Sequence, residues 1–363
     1  MSIFRKSTSI PIDYQARAAA AADWAMRSIK ATGSGGSAHS WSPLFGWAKP
    51  YPETTGYLIE TLLRWSQYCQ PEQSAVFQAL ALQAADWLLA LQLPSGAFPG
   101  LLAGHQKPSV FNTAQIMFGL AAAYEQSQQD KYRQALERAG AWLAQIQEAD
   151  GAWRQAAYVE GFVPTYYTRA VQGLLRANQL QRDATLEQVA RKALLFYAEK
   201  FQAGHSIQDW GFWPGKPAYT HTIAYTLEGF WQSAAILEMP DIQQKTLCSL
   251  ETLQQLITDN QAIAGTYDEN WKGNYRFECP TGNVQLALVF QEVGKQTANQ
   301  NFLDTARALL DHTLQFQSLK KGSAAYGALP GSAPFYGPYL RFRYPNWGVK
   351  FLLDALIEIP RMP

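Results

Sequence analysis

The sequence predicts an all-α protein folded as an (α/α)6 toroid, a closed ring of six inner and six outer helices that takes up residues 1–363 as one domain. Strand signals are nearly absent, whereas apolar residues recur at helical spacing along most of the chain. Six segments also share one design, a hydroxyl or amide residue followed by an apolar run, and their anchors stand 53 to 65 residues apart. Such a period indicates a repeat of two helices.

The fourth repeat shows the inner-helix pattern most clearly, in the segment 218–237. At about 100° per residue, His221, Tyr225, Glu228 and Gln232 fall on one polar stripe, and apolar side chains cover the rest of the surface. The pattern favours a helix buried on three sides, although a surface helix with a solvated stripe also fits. The six anchors are Thr55, Asn112, Thr165, Thr220, Thr281 and Asn346.

A more conventional amphipathic helix, with charges on its free side, accompanies each anchor segment. Residues 1–10 precede the first of these helices and are expected to form a flexible tail. The period exceeds that of most solenoid repeats, and the last unit, ending in IEIPRMP, lacks the polar cap that an open stack needs, so closure into a ring is favoured. The outer helices are expected at 12–31, 72–92, 130–147, 184–202, 241–258 and 299–317.

Closure would bring the N-termini of all inner helices to one end of the ring, where helix dipoles favour polar or anionic ligands. The loops that lead to this end are rich in glycine and aromatic residues, and they lengthen from LPSGAFPG at 93–100 to the 24 residues of 321–344. Long ordered loops at one end of a barrel usually build a site. We therefore expect an open cleft at the N-terminal ends of the inner helices.

Composition excludes several functional classes. The net charge is +1, with 30 basic and 29 acidic residues interspersed, which argues against nucleic acid as a partner. No stretch approaches the ~18 apolar residues of a membrane span, and the N-terminus lacks the apolar run of a secretory signal. Three distant cysteines and five scattered histidines indicate neither a disulfide framework nor a metal centre. These features predict a cytoplasmic protein without metal or cofactor, and they leave the oligomeric state open.

Two junctions, WLLALQLPSGAF (87–98) and AWLAQIQEADGAW (141–153), resemble the QW-type repeat of terpene cyclases and protein prenyltransferases. The resemblance implies that a glutamine and a Gly-x-aromatic turn tie an outer helix to the next inner helix. The acid motif of triterpene cyclases and the zinc ligands of prenyltransferases have no counterpart, so the resemblance implies the fold and not the chemistry. The matching residues are Leu88, Gln92, Gly96 and Phe98 in one copy and Leu143, Gln147, Gly151 and Trp153 in the other.

Over most of the chain the sequence resembles bacterial proteins found with exopolysaccharide and capsule biosynthesis. The resemblance implies a toroid and a polysaccharide context, and it assigns no catalytic residue. The shared segments all begin predicted inner helices; they are PTYYTRAVQGLL (164–175), THTIAYTLEG (220–229), CPTGNVQLALV (279–289) and YPNWGVKFLLDAL (344–356).

Projection of the inner helices inward places amides, tyrosines and charged groups along the lumen. Amides beside aromatic rings suit sugars, whose rings have an apolar face and a polar rim, whereas a terpene needs an almost wholly apolar pocket. The expected partner is therefore a polysaccharide or oligosaccharide, oriented by Arg169 and Asn283. The other candidates for substrate binding are Tyr57, Glu60, Asn112, Gln115, Tyr166, Tyr167, Gln285 and Trp347, with Trp210 and Arg341 from the loops.

Three types of glycan chemistry stay open at this point. A lyase or an epimerase needs a base and an acid, for which His221 and Tyr225 are the candidates. A hydrolase needs two carboxylates, for which Glu228 and Asp209 are available. His221 can equally be a helix-capping residue, Tyr225 a core residue, and Glu228 the partner of Arg169 in a structural ion pair. An isoprenoid-handling enzyme and a glycan-binding or scaffold protein without catalysis are the alternative functions.

Overall fold

The computed structural model describes residue 3 and residues 11–359, and in this part of the chain twelve α-helices alternate between an inner and an outer layer. The predicted tail over residues 1–10 lies outside the described residues except for Ile3, which is buried and donates its N–H to the Gln261 carbonyl at 3.0 Å. The inner helices are α2 (Pro52–Ser66), α4 (Val110–Ser127), α6 (Thr168–Gln181), α8 (Thr220–Ile236), α10 (Pro280–Thr297) and α12 (Asn346–Glu358). The outer helices are α1 (Tyr14–Lys30), α3 (Pro71–Leu89), α5 (Asp130–Ile146), α7 (Ala184–Ala198), α9 (Pro240–Asn260) and α11 (Gln300–Leu314).

The ring is closed, as the sequence predicts. Each inner helix packs against the next, and α12 packs against α2, so the inner layer has no free edge. The outer helices each cover one inner helix, and α1, the first helix of the chain, covers α12, the last. The first and last helices of the described residues thus form one pair, and the all-α (α/α)6 toroid is confirmed.

Glycines allow the inner helices to approach each other closely. A Cβ atom added to Gly119 of α4 would lie only 2.0 Å from the carbonyl oxygen of Gly56 on α2. Four further inner helices repeat this contact with the inner helix that precedes them in the ring. The contacts are Gly173 on Ala114, Gly229 on Thr168, Gly282 on Thr220 and Gly348 on Thr281.

Glutamines at the ends of the outer helices tie neighbouring repeats together. The Nε2 of Gln147 donates to the carbonyl of Gly151 at 3.1 Å, inside its own turn, and to the carbonyl of Val189 at 2.8 Å, on the next outer helix. Gly151 has a φ of 95°, a left-handed conformation that favours glycine. Gln92 makes the same pair of bonds to Gly96 and Ala135.

A third tie of the same kind closes the ring, and the sequence analysis missed it. The Nε2 of Gln317 donates to the carbonyl of Gly327 at 3.2 Å and to the carbonyl of Arg17 at 3.0 Å, on α1. Its glycine also has a left-handed φ, of 89°. Ten residues separate Gln317 from Gly327, whereas four separate Gln147 from Gly151, so the spacing that reveals the other copies is absent here.

Replacement of Gln147 by alanine tests these ties. Gln147→Ala removes two hydrogen bonds and leaves two carbonyl groups without their amide donor, so we expect the free energy of unfolding to fall by about 1–3 kcal/mol. Urea unfolding followed by circular dichroism measures the change. Gln134→Ala is the matched control, because Gln134 is exposed on the same helix, α5, and should change stability by less than about 0.5 kcal/mol. Equal effects of the two substitutions would contradict the tie.

Five short strands pin the loops at the N-terminal end of the inner helices. Strand β1 (Ser40–Ser42) pairs with β2 (Gly46–Trp47) and with β5 (Tyr344–Pro345), which leads directly into α12. Strand β3 (Ala218–Tyr219) leads into α8 and pairs with β4 (Thr266–Tyr267). In the part of the chain that the structure describes, no helix is long and apolar enough to cross a membrane.

Candidate functional site

An aromatic layer divides the lumen of the ring at mid-height. We define it by Tyr57, Phe118, Tyr225 and Phe351. The Phe351 ring lies 5.7 Å from the ring of Tyr57 and 5.9 Å from that of Tyr225, measured between centroids. The guanidinium of Arg169 lies over both Phe118 and Tyr225, at 4.6 and 5.5 Å. Below this layer lies a pocket at the C-terminal ends of the inner helices. We call the region above it, at the N-terminal ends of the inner helices, the mouth.

Glu53 is the central titratable group of the mouth. It lies in the first turn of α2, is only 7% exposed, and accepts hydrogen bonds from the hydroxyls of Tyr51 at 2.5 Å and Tyr158 at 3.1 Å. The hydroxyl of Tyr158 also contacts the side-chain oxygen of Asn112. Burial raises the pKa of Glu53 from its ordinary 4.5 to about 7, although the tyrosine hydrogen bonds act to lower it. A carboxyl group with this pKa can both give and take a proton near neutral pH.

His221 is the second titratable group of the mouth. It lies in the first turn of α8, is 4% exposed, and its Nδ1 is 2.5 Å from the amide oxygen of Gln285. An amide oxygen only accepts, so this contact is a hydrogen bond when the proton is on Nδ1, and in that tautomer the lone pair of Nε2 is available. Burial lowers the pKa of His221 to about 4, and the positive charge of Arg169 acts in the same direction. The imidazole is therefore neutral at neutral pH.

Trp347 connects the two groups. Its ring lies 6.1 Å from the ring of Tyr51, which holds Glu53, and 6.4 Å from the ring of His221. Its indole N–H donates to the hydroxyl of Tyr339 at 2.8 Å. Burial raises the pKa of Tyr339, and the charge of Glu53 adds a smaller contribution in the same direction. We call this cluster the mouth site; its members are Tyr51, Glu53, Tyr158, His221, Tyr339 and Trp347.

The mouth site is narrower than the open cleft that the sequence analysis expects. Tyr339 is 5% and Trp347 is 7% exposed, so only small parts of the cluster reach solvent. The reason is that the long loops fold inward: Phe212 and Tyr339 bring their rings to 6.1 and 5.7 Å from the His221 ring. These aromatic side chains from the loops fill much of the space beside His221.

Several predicted residues do surround the mouth site. Gln285 holds His221, and Asn112 contacts Tyr158. Tyr166 is 3% exposed, and its pKa is raised chiefly by burial, with a contribution from the charge of Glu53.

The predicted acid, Tyr225, lies deeper, in the aromatic layer. Its hydroxyl is buried and faces that of Tyr57, close enough to affect its pKa but without hydrogen-bond geometry to any group among the described residues. Burial raises the pKa of Tyr225.

The structure places four predicted residues away from the mouth site: Glu60, Gln115, Arg169 and Glu228. Glu228 forms an ion pair with Arg169, and both line the pocket below the aromatic layer, as does Glu60. Gln115 accepts from the Nε of Arg169 at 3.3 Å. Glu228 shares the angular position of His221 on α8, but seven residues at about 1.5 Å per residue place it about 10 Å further along the helix.

Four other candidates are bonded to or packed against the surrounding structure, and a fifth, Arg341, is exposed. The carboxylate of Asp209 is 2.9 Å from the Nζ of Lys200, and its backbone carbonyl accepts from Thr165 at 2.8 Å. Trp210 is buried against Trp271. The remaining three are Tyr167, whose hydroxyl accepts from the Tyr158 N–H, Asn283, which donates to Glu278, and Arg341, which is exposed.

Four members of the mouth site are not predicted from the sequence pattern: Tyr51, Glu53, Tyr158 and Tyr339. A signal exists for Glu53, since it stands two residues before the anchor Thr55 and thus at the start of an inner helix. Tyr158 and Tyr339 come from loops, and only the folded loops show that they point inward. No group of three or more histidine, cysteine, aspartate or glutamate side chains among residues 3 and 11–359 is arranged to hold a metal ion.

No protein-family model and no curated protein sequence matches the chain. Solved structures match nearly all of it. An unsaturated glucuronyl hydrolase specific for heparin is 15% identical with a TM-score of 0.74, covering 95% of this chain and 96% of its own. Cellobiose 2-epimerase from Bacillus thermoamylovorans is 12% identical with a TM-score of 0.68, covering 91% and 93%. A possible GH105 member from Salmonella enterica serovar Paratyphi A is 10% identical with a TM-score of 0.70, covering 98% and 96%. At these identities the likeness establishes the toroid fold.

Proposed function

We propose that the protein is a carbohydrate-active enzyme whose mouth site transfers protons on a bound glycan, as an epimerase or a lyase. The observation that carries the proposal is that the mouth site contains one protonated and one unprotonated group between about pH 4 and pH 7. Glu53 keeps its proton up to about pH 7, and His221 stays unprotonated down to about pH 4, within one aromatic cluster. Pairs of titratable groups whose pKa values are pushed apart by their surroundings are typical of acid and base catalysts.

The proposed roles follow from the atoms that each group offers. The Nε2 of His221 accepts a proton from a sugar carbon next to a carbonyl or carboxyl group, and Gln285 holds the imidazole in the tautomer that this requires. Glu53 gives its proton to the oxygen that gains negative charge. In an epimerase this is the carbonyl oxygen, and an enediol forms. The enediol turns its other face to His221, which returns the proton to the carbon, while the enol hydroxyl returns its proton to Glu53 and the carbonyl group forms again. In a lyase it is the leaving oxygen at C4, and a C4–C5 double bond forms. Glu53 thereby takes the role that the sequence analysis gives to Tyr225.

Hydrolysis has less support than proton transfer. A glycosidase with two carboxylates holds them about 5–5.5 or 6.5–9.5 Å apart. Among the residues that the structure describes, Glu53 is the one carboxylate of the mouth site, while Asp209 and Glu228 are held by Lys200 and Arg169. The structural neighbours include both a hydrolase and an epimerase, which supports a carbohydrate substrate without choosing the reaction.

The alternative functions also have less support. An isoprenoid pocket would be apolar, whereas this lumen contains Glu53 and His221 above the aromatic layer and charged side chains below it. A scaffold protein has no need of a buried neutral histidine and a buried carboxyl group with a pKa of about 7 in one aromatic cluster. A role in exopolysaccharide or capsule synthesis is part of the proposal and rests on the resemblance of the inner-helix segments.

Solvent exchange tests the proposal directly. The protein is incubated in D2O with cellobiose, as a neutral glycan, and with alginate and heparin oligosaccharides, as uronic-acid glycans. NMR detects deuterium at a sugar carbon, absorbance near 235 nm detects a C4–C5 double bond, and a reducing-end assay detects hydrolysis. We expect deuterium exchange or absorbance at 235 nm with at least one glycan, lost in His221→Asn at an unchanged melting temperature. New reducing ends without either signal, or full activity of His221→Asn, would contradict the assigned chemistry.

A further inference from the structure

Asn112, in the first turn of α4, is a buried amide whose orientation is fixed by the backbone. Its side-chain nitrogen, Nδ2, donates to the carbonyl of Pro99 at 2.8 Å. A carbonyl oxygen only accepts, so the nitrogen of the amide must face Pro99. The side-chain oxygen, Oδ1, then accepts from the hydroxyl of Tyr158. Asn112 therefore presents an acceptor to the mouth site, and it cannot present a donor there without losing its bond to Pro99.

The hydroxyl of Tyr158 has two acceptors within reach and one proton to donate. The acceptors are the Oδ1 of Asn112 and the Oε2 of Glu53, the latter at 3.1 Å. The hydroxyl of Tyr51, 3.3 Å from that of Tyr158, directs its own proton to Glu53. Because a hydroxyl group carries a single hydrogen, a full bond to one acceptor is made at the expense of the other. Asn112 and Glu53 therefore compete for one proton.

The charge of Glu53 decides this competition. Hydrogen bonds to an ionised acceptor are about twice as strong as those between neutral groups. Tyr158 therefore donates to Glu53 when that carboxyl group is ionised, and to Asn112 when it is protonated and has lost this advantage. Ionisation of Glu53 then costs the bond between Tyr158 and Asn112. The amide thus opposes the release of the proton from Glu53 although it does not touch the carboxyl group.

We propose that Asn112 is a positioning residue that keeps Glu53 protonated, by holding the hydroxyl proton of Tyr158 until Glu53 has given its own proton away. The hydroxyl of Tyr158 then turns to the new carboxylate and stabilises it. A rotation about one C–O bond separates the two arrangements, and each of them satisfies Tyr158. The role in catalysis rests on the proposed function of Glu53 as the acid, whereas the competition for the proton needs no substrate.

The titratable groups around Glu53 keep their own charge near pH 7. Burial raises the pKa of the surrounding tyrosines above the ordinary 10, and it lowers the pKa of His39 and His221 to about 4. A change in the titration of Glu53 near pH 7 therefore does not arise from a neighbour that gains or loses a proton. The tyrosines that sense the charge of Glu53 are Tyr51, Tyr57, Tyr158, Tyr166, Tyr167, Tyr225 and Tyr339.

A double-mutant cycle tests the inference without a substrate. The titration midpoint of Glu53 is measured by 13C NMR of its side-chain carboxyl carbon, which is identified by its absence in Glu53→Gln. Asn112→Leu removes the competing acceptor at nearly constant size, so the midpoint should fall by about one pH unit, the effect of roughly one hydrogen bond. When Asn112→Leu is added to Tyr158→Phe, the midpoint should change by less than about 0.3 pH unit, because Asn112 acts through the missing hydroxyl.

The Tyr158→Phe background separates the inference from a structural effect of the substitution. Asn112→Leu leaves the Pro99 carbonyl without its amide donor, so a lower melting temperature is expected and is measured alongside. Asn112→Val, with a smaller apolar side chain, takes its place in the cycle if the leucine variant does not fold. An unchanged or higher midpoint in the apolar variant, or an equal shift with and without the Tyr158 hydroxyl, would overturn the inference.

The pH profile of activity separates this inference from the proposed function. In Asn112→Leu the alkaline limb of kcat should move to lower pH by the same amount as the NMR midpoint, and the acid limb should stay in place. A midpoint that moves in a protein without activity on any glycan would contradict the proposed function and support the competition for the proton. An active enzyme in which neither the midpoint nor the alkaline limb moves would support the function and overturn the role of Asn112.

Discussion

Glu53→Gln is expected to lower kcat on the glycan identified by solvent exchange by about 10²–10⁴-fold, the usual contribution of a general acid or base. Glutamine has nearly the size of glutamate, and its side-chain oxygen can still accept from Tyr51 and Tyr158. The variant therefore keeps the shape of the mouth site but has no proton to give. KM should change little, because the substitution removes an interaction of the transition state. Steady-state kinetics measure both constants.

The pH profile separates a catalytic Glu53 from a structural one. Activity needs protonated Glu53 and neutral His221, so it should fall above about pH 7 and below about pH 4. Tyr158→Phe removes a hydroxyl group that lowers the pKa of Glu53. The alkaline limb should therefore move to higher pH in this variant. An alkaline limb that stays in place in Tyr158→Phe, or wild-type kcat in Glu53→Gln, would show that Glu53 is not the acid.

The raised pKa of Glu53 should also make the free energy of unfolding depend on pH, which can be measured without a substrate. Glu53 releases its proton near pH 7 in the folded protein and near its ordinary 4.5 in the unfolded chain. Between these values the folded state holds one more proton, so this group's contribution to the free energy of unfolding falls as the pH rises from about 4.5 to about 7. His39 and His221, whose pKa values are lowered to about 4, act oppositely as the pH falls from 6.5 to 4. The histidine contributions are the same in both proteins and cancel when the free energy of unfolding of the wild type is subtracted from that of Glu53→Gln. This difference should increase as the pH rises toward 7.

The ring could be predicted because its determinants are periodic. Apolar spacing marks the helices, and hydroxyl or amide anchors recur before each inner helix. The predicted outer helix 130–147, for example, is observed as Asp130–Ile146. The tie from Gln317 to α1 is not predicted, because the turn between its glutamine and its glycine is longer than in the other copies and does not repeat their spacing.

The division of the lumen could not be predicted from the same pattern. Helical projection gives the direction in which a side chain points and not its depth in the lumen. His221 and Glu228 therefore share one direction in the projection of α8, although they lie on opposite sides of the aromatic layer. Glu53 resembles any acidic residue in a first helical turn, where it is favoured by the helix dipole. Its raised pKa comes from burial, which depends on packing that the helical pattern does not describe. The loop position of Tyr158 likewise says nothing about its hydrogen bond to Glu53.

Gly119→Ala is expected to lower the free energy of unfolding by about 3 kcal/mol or more, which places it among the severe substitutions. Helix propensity alone predicts the opposite sign, because alanine is more favourable than glycine inside a helix by about 1 kcal/mol. The loss arises because the new Cβ would lie 2.0 Å from the carbonyl oxygen of Gly56, and two backbones must separate to relieve it. Since α2 and α4 are both inner helices of a closed ring, their separation is opposed by every other helix contact around it. Urea unfolding measures the change.

Gly140→Ala on α5 is the matched control for this close approach. Its new Cβ would meet Cδ1 of Leu186 at 2.8 Å, the far end of a flexible side chain that can rotate away. Both substitutions gain the same helix propensity and remove a glycine from the interior of a helix, so they differ in whether the obstacle is backbone or side chain. Gly140→Ala should therefore change the free energy of unfolding by less than about 1 kcal/mol. If Gly119→Ala proved as stable as Gly140→Ala, the close glycine contacts would not be what sets the distance between the inner helices.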